Sequence, residues 1–227
     1  MERHLHEEIA ELNDNLLKMA ALVEQSIHTS IEALKNQDAR LAVQTIEDDE
    51  KIDQYEIGIE EHAIDLLARH QPMAKDLRFI TTGMRINTEL ERIADLSVNI
   101  AQRVLELVDN PLLKPLIDIP KLADIAKRMV KGAIDSFVKE DKELAKQVIL
   151  SDPEADKLRN MVQEELINDY MAKDAALAPR AVALLLVARH LERICDHATY
   201  IAEDVIYMVD AMIVKHHRER LCRDDER

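Results

Sequence analysis

Two carboxylates stand four residues apart at four matching places in this chain. They are Asp49 with Asp53, Glu91 with Asp95, Asp152 with Asp156, and Glu192 with Asp196. On a helix, residues four apart lie one above the other on the same face. Two like charges so placed repel by roughly a few tenths of a kcal/mol. A cation bridging them would turn that repulsion into attraction. Carboxylate oxygens are hard ligands, suited to Mg²⁺, Ca²⁺, Mn²⁺ or oxidised iron. If the helices bearing two such pairs are antiparallel neighbours, four carboxylates converge on one point, twice per chain.

Asn87 and Asn99 lie one turn before Glu91 and one turn after Asp95. They extend the polar stripe and offer neutral oxygen ligands. The second half has Ala188 and Tyr200 at those places, so a second site is expected to be poorer or differently filled. Pro153 interrupts the motif "DPEAD". A proline inside a helix kinks or breaks it, which would make Asp152 an N-cap rather than a ligand. Arg92 and Arg193 each follow a motif Glu and are expected to pair with acids on adjacent helices. His190 and His197 read as surface or packing histidines, and Cys195 as a core thiol. In the C-terminal tail, His216 and His217 are candidates only for adventitious metal.

Spacing alone leaves a solvated acidic face as an open alternative. With 45 acids in 227 residues, about nine acid-x-x-x-acid pairs arise by chance. Recurrence is more informative. "LERIAD" (Leu90 to Asp95) returns as "LERICD" (Leu191 to Asp196), and "NQDARLAVQTIEDDEKID" (Asn36 to Asp53) aligns with "KEDKELAKQVILSDPEAD" (Lys139 to Asp156).

The elements that must carry these motifs are helices. Apolar residues recur in steps of three and four at Ile9, Leu12, Leu16, Met19, Val23, Ile27, Ile31 and Leu34, a narrow bundle-type stripe. Asp38 is placed to cap a second helix, which ends before Pro72. A third helix runs from about Ala74 to Val108. "DNPLLKPLIDIP" is a linker, and three further helices follow, over Lys121 to Lys139, Lys142 to about Met171, and Arg180 to Lys215. The plan is an all-α internal duplication: a three-helix repeat over 1–109, a linker over 110–120, and a second three-helix repeat over 121–227.

Composition agrees. Aromatics make up 3%, there is no Trp, and Gly occurs three times, whereas sheets favour aromatic and β-branched residues with Gly-rich turns. The net charge of −15 argues against nucleic acid, whose phosphates need clustered Lys and Arg. The longest apolar run, Ala181 to Ala188, falls short of a membrane span. The start "MERHLHEEIA" lacks an apolar signal core, and two cysteines suggest no disulfide framework. A reducing cytoplasm is the expected location.

Together "PMAKDLR" (Pro72 to Arg78), the two LERI-x-D phrases and the duplicated plan resemble the PhoU family of phosphate-transport regulators. The resemblance spans essentially the whole chain. It implies a cytoplasmic negative regulator that connects the ATPase subunit of a phosphate ABC transporter with a phosphate-sensing histidine kinase. It implies a fold of two three-helix bundles, often a homodimer, that meets the membrane only through its partners. It also implies that the eight motif acids bind metal, iron or zinc, with the second site in more doubt because of Tyr200 and Pro153. Two other readings stand beside it. One is a passive helical scaffold without metal. The other is a carboxylate-bridged di-iron enzyme, but such sites use Glu-x-x-His, and no Glu here has a His three positions later. A phosphate-cradling Gly-rich loop is also missing, so direct phosphate sensing is not expected.

Overall fold

The computed structural model describes residues 2–215. His216, His217 and Cys222 lie outside the described residues. Six α-helices follow one another: α1 (Glu2–Asn36), α2 (Ala39–His70), α3 (Ala74–Leu107), α4 (Asp118–Val138), α5 (Lys142–Glu165) and α6 (Ala178–Asp210). There is no strand among the described residues. A π-helical turn, Leu166–Met171, extends α5, and a 3₁₀ turn, Ala175–Leu177, leads into α6.

The duplication is visible in the turns. Asp38 caps α2 by accepting from the Arg40 and Leu41 amides, and Asp141 caps α5 by accepting from the Glu143 and Leu144 amides. The residue before each cap is left-handed, Gln37 at φ 49° and Glu140 at φ 49°. The Asp38 amide donates to Ala33 O at 3.0 Å, and the Asp141 amide to Ser136 O at 2.9 Å. Each chain reversal uses a side-chain cap for the new helix and a left-handed residue to end the old one.

The predicted α1 stripe is the core. Leu12, Leu16, Met19, Val23, Ile27, Ile31 and Leu34 are buried, with Ile9 partly so. Gly83 lets α3 approach α1, since a Cβ there would stand 3.2 Å from Leu16 Cδ1. Gly132 does the same between α4 and α5, where a Cβ would stand 2.9 Å from Val148 Cγ2.

The repeats meet chiefly through antiparallel α3 and α6. Arg78 Nε donates to Met208 O at 3.0 Å, Arg85 pairs with Asp204 at 2.8 Å, and His197 Nδ1 meets Glu89 Oε2 at 2.5 Å. Carried onward, that register sets Glu91 and Asp95 at the level of Asp196 and Glu192. The motifs of both halves therefore sit near the middle of the molecule. The segment after α3 is tied down by buried Lys114, which pairs with Glu165, and by Arg180 donating to Pro111 O.

Three expectations change. Pro153 neither kinks α5 into a new segment nor starts a helix. The helix runs from Lys142 through Glu165, and its cap is Asp141, so Asp152 is a buried interior residue. The helix is already three turns old at Pro153, twelve residues after its cap, and Ile149 and Ala155 are packed in the core on either side of the proline. The sixth helix stops at Asp210, where left-handed Ala211 ends it, rather than at Lys215. Finally, Arg92 pairs with Glu89 on its own helix at 3.1 Å, not with a neighbouring one.

Candidate metal centres

In the first repeat, buried Ile52 and Ile59 of α2 and Leu90, Ile93 and Ala94 of α3 join one core. The motif acids flank that seam. Asp49 and Glu91 are half-buried, while Asp53 and Asp95 reach solvent. The acids of the two helices feel one another. Burial, then the charges of Asp53 and Asp95, push Asp49 up to about 6. Burial, then Asp95, Glu56 and Asp53, push Glu91 up to about 7. Asp53 and Asp95 thus act on both Asp49 and Glu91.

A fifth acid belongs with them. Glu56 lies one turn beyond Asp53, and its pKa is raised by burial first, then by Glu60, Asp53 and Asp95. The signal was present as a run of acids at 49, 53, 56 and 60 in steps of three and four. Asn87 is buried and donates through Nδ2 to the Glu56 carbonyl at 2.9 Å. Its Oδ1 is buried without a partner, as is Asp49 Oδ1. Asn99 is half-buried one turn past Asp95.

In the second repeat, Asp152 is buried, Glu192 and Asp196 are half-buried, and Asp156 is exposed. Burial, then Glu192, Asp152 and Asp156, push Asp196 up to about 6. These four also form one group, but a cation is built into it. Arg159 stands where the first repeat has Glu56. Its guanidinium donates to Glu192 Oε1 at 3.1 Å and to Gln163 Oε1 at 3.2 Å, and Gln163 stands where the first repeat has Glu60. The alignment that matched Asp53 to Asp156 would have found Arg159 three residues later.

Neighbouring side chains are structural. His197 is buried, bound to Glu89 across the repeats and edge-on to Tyr200 with centroids 5.7 Å apart. Cys195 is buried, and burial raises its thiol far above the usual range. His190 is pushed down to about 4 by burial, then by Arg193, Arg103 and Arg189.

Among the described residues, no three His, Cys, Asp or Glu side chains are gathered closely enough to hold a metal ion as they stand. The acids are electrostatic neighbours but not a preassembled cage, as expected of like charges with nothing between them. The donor chemistry of the first group still fits a hard cation. It is all oxygen, and it contains two orphaned buried oxygens, Asp49 Oδ1 and Asn87 Oδ1. Zinc, which prefers nitrogen and sulfur, fits this set less well than oxidised iron or Mn²⁺. The second group fits less well, because Arg159 already engages Glu192.

Comparison with known proteins agrees with the duplicated plan. The PhoU domain family matches the chain twice, over residues 16–104 and 119–205. A phosphate-specific transport system accessory protein PhoU homolog from Aquifex aeolicus is 41% identical over 212 residues, covering 93% of this chain and 96% of that one. A PhoU homolog 2 from Thermotoga maritima is 36% identical over 97% of this chain and 94% of its own. The crystal structure of PhoU from Pseudomonas aeruginosa superposes with a TM-score of 0.88 at 34% identity, over 91% of this chain and 99% of that one. The phosphate transport system regulatory protein PhoU of Streptococcus pneumoniae gives 0.86 at 26% identity, over 92% and 99%.

Proposed function

The chain belongs to the PhoU family, and from that premise we propose that it is an accessory regulator of phosphate-specific transport. It acts as a cytoplasmic adaptor and negative regulator. It couples the ATPase subunit of a phosphate ABC transporter to a phosphate-sensing histidine kinase and works as a homodimer. The observation that carries the transport role is whole-length similarity to relatives named for that system. No helix of the described residues is long and apolar enough to cross a membrane, so contact with the transporter runs through protein partners. The role requires no chemistry of its own, which accords with the missing Glu-x-x-His pairs.

The regulatory element is a metal centre at the acid groups, iron or zinc by resemblance, with hard-oxygen chemistry favouring oxidised iron. Asp49, Asp53, Glu91 and Asp95, supported by Asn87, would hold the ion in the first repeat. Asp152, Asp156, Glu192 and Asp196 would hold a weaker one in the second. A bound cation supplies positive charge that cancels the repulsion between facing carboxylates. The residues themselves set how firmly α2 is held to α3 and α5 to α6, and so the shape of the surface offered to partners.

The test is genetic and chemical together. A deletion strain carrying a phosphate-regulated reporter is complemented with wild type or with Glu91→Ala/Asp95→Ala, and metals in the purified proteins are measured by plasma mass spectrometry. Constitutive reporter expression in the deletion strain, restored to control by wild type, is the expected result. An unchanged reporter in the deletion strain overturns the regulator. Metal at background in wild type, even after anaerobic loading with iron or zinc, leaves an adaptor without a metal centre.

A further inference from the structure

The chain has three glycines, and two have an internal reason. Gly83 and Gly132 sit where a Cβ would press on Leu16 or Val148. Gly58 is different. It lies in the middle of α2, and a Cβ there would meet nothing within 4 Å. A glycine inside a helix costs about 1 kcal/mol relative to alanine, so within this chain it is a cost without a return.

Gly58 lines a groove of about 740 Å³ along the seam of α1 and α2, with Ala21, Leu22, Tyr55 and Ile59 as its less polar part and Lys18 and Lys51 beside them. The groove continues along the same seam into a second hollow of about 350 Å³ that shares Leu22 and Lys51. Along α1 the two run from Asn15 to Thr29, about 20 Å at 1.5 Å per residue. Ser26 lines the second hollow. It is 8% exposed, and its Oγ is buried with no hydrogen-bond partner. Like the hydroxyls of Thr82 and Thr199, it is enclosed by the protein, so what Ser26 gives the hollow is a small side chain.

The second repeat supplies the control. Its equivalent seam, between α4 and α5, encloses only about 360 Å³. Met161 stands in place of Gly58 and Met129 in place of Ser26. Methionine fills irregular gaps. Both seams keep a hollow, and the larger one is the one that carries Gly58.

We propose that the α1/α2 seam docks one amphipathic helix of a partner protein, laid over Gly58. A seam between two helices, about 20 Å long, accepts a third helix of roughly 14 residues. Gly58 removes the side chain that would hold that helix away. Charge sets the polarity. Lys51 already pairs with Asp48 at 2.6 Å, whereas Lys18 touches only Asn15 Oδ1, at 3.4 Å. The partner helix therefore carries an acidic residue at the Lys18 end. This deepens the adaptor reading, on which it rests for why the chain should bear such a surface.

The test places a photo-crosslinking benzoylphenylalanine at the groove rim, at Gln25 or Gln54 in the full chain, and at Lys157 as the second-repeat control, in living cells. Crosslinks are mapped by mass spectrometry. The expected result is attachment from the first two positions, and not from Lys157, to residues of another protein spaced three and four apart beside an Asp or Glu. The mapped segment, made as a labelled peptide, should bind wild type saturably by fluorescence anisotropy. Binding should fall at least tenfold in Gly58→Leu and several-fold in Lys18→Glu, with circular dichroism unchanged. Crosslinks to another copy of this chain, to an extended segment, equally from Lys157, or to no protein at all, each overturn the proposal. The adaptor reading is judged separately by the reporter strain, which needs no groove.

Discussion

The two acid groups share one repeated pattern and differ in the residues that surround the motif acids. In the first repeat, α2 continues Asp49 and Asp53 with Glu56 and Glu60. The result is a run of carboxylates facing Glu91 and Asp95, where burial first and neighbouring carboxylates second raise Asp49, Glu56 and Glu91, as they raise Asp196 in the second group. In the second repeat, Arg159 and Gln163 take the places of Glu56 and Glu60, and Arg159 reaches across to Glu192. Both groups hold carboxylates raised by burial and by one another, but only the second has an arginine hydrogen-bonded to one of its motif acids. That arginine is what would make the second group the weaker of the two proposed metal sites.

The largest effects should come from breaking the first group. Glu91→Ala/Asp95→Ala should weaken iron or manganese binding by more than about a hundredfold, beyond the cost of losing a supporting partner alone. Glu192→Ala/Asp196→Ala should change total bound metal little, because the second group contributes the weaker site. Plasma mass spectrometry on both proteins, purified without a His-tag, reads this directly. Equal losses in the two variants would erase the comparison.

The next effect comes from converting the second group into the first. Arg159→Glu removes the internal cation and restores the acid found at position 56. Metal-free, the variant should unfold at lower temperature than wild type, since Glu192 loses its partner. Metal should restore it, with second-site affinity raised about tenfold, or ~1.4 kcal/mol. Calorimetry with Mn²⁺ on wild type and variant checks both parts.

How far the sequence reached follows the same line. Six helices, the cap at Asp38 and the α1 core stripe were readable because helical period, capping chemistry and duplication all repeat locally. The recurrence of the eight motif acids was readable for that reason too. Arg159 was not found, although it sits three residues past a matched Asp, because the search was for likeness between repeats and the decisive residue is a difference. Pro153 misled because a local rule against proline in helices was outweighed by packing on both sides of it. The α1/α2 groove was invisible, since an absent Cβ has meaning only once its neighbours are known.

A smaller effect lies in pH. Glu91 and Asp49 titrate near 7 and 6 in the folded, metal-free protein, above the ordinary carboxylate range near 4. The folded state therefore binds protons more tightly than the unfolded one. The stability these groups contribute is fully present below about pH 4 and is lost as pH rises through 6 to 7. His190, held near 4 by burial and arginines, works oppositely and removes stability as pH falls below about 6.5. The clean observable is a difference. Glu91→Gln should melt higher than wild type at pH 8 and close to it at pH 5, without metal, by differential scanning calorimetry. Saturating Mn²⁺ should reverse the order at pH 8, because the wild-type carboxylate then has its cation.

The smallest effect concerns the open seam. Gly58→Ala puts a methyl group into space that this chain leaves empty, and it removes the helix-interior penalty of glycine. The melting temperature should rise by about 2–4 °C, the return of ~1 kcal/mol in a chain of this size. Gly132→Ala, where a Cβ would stand 2.9 Å from Val148, should lower it. If both substitutions destabilised the isolated protein, Gly58 would serve the fold, and the contrast between the two seams would lose its meaning. If Gly58→Ala stabilises the protein alone, glycine at that position persists against the interest of the fold, and its reason must come from something that packs on α2 from outside.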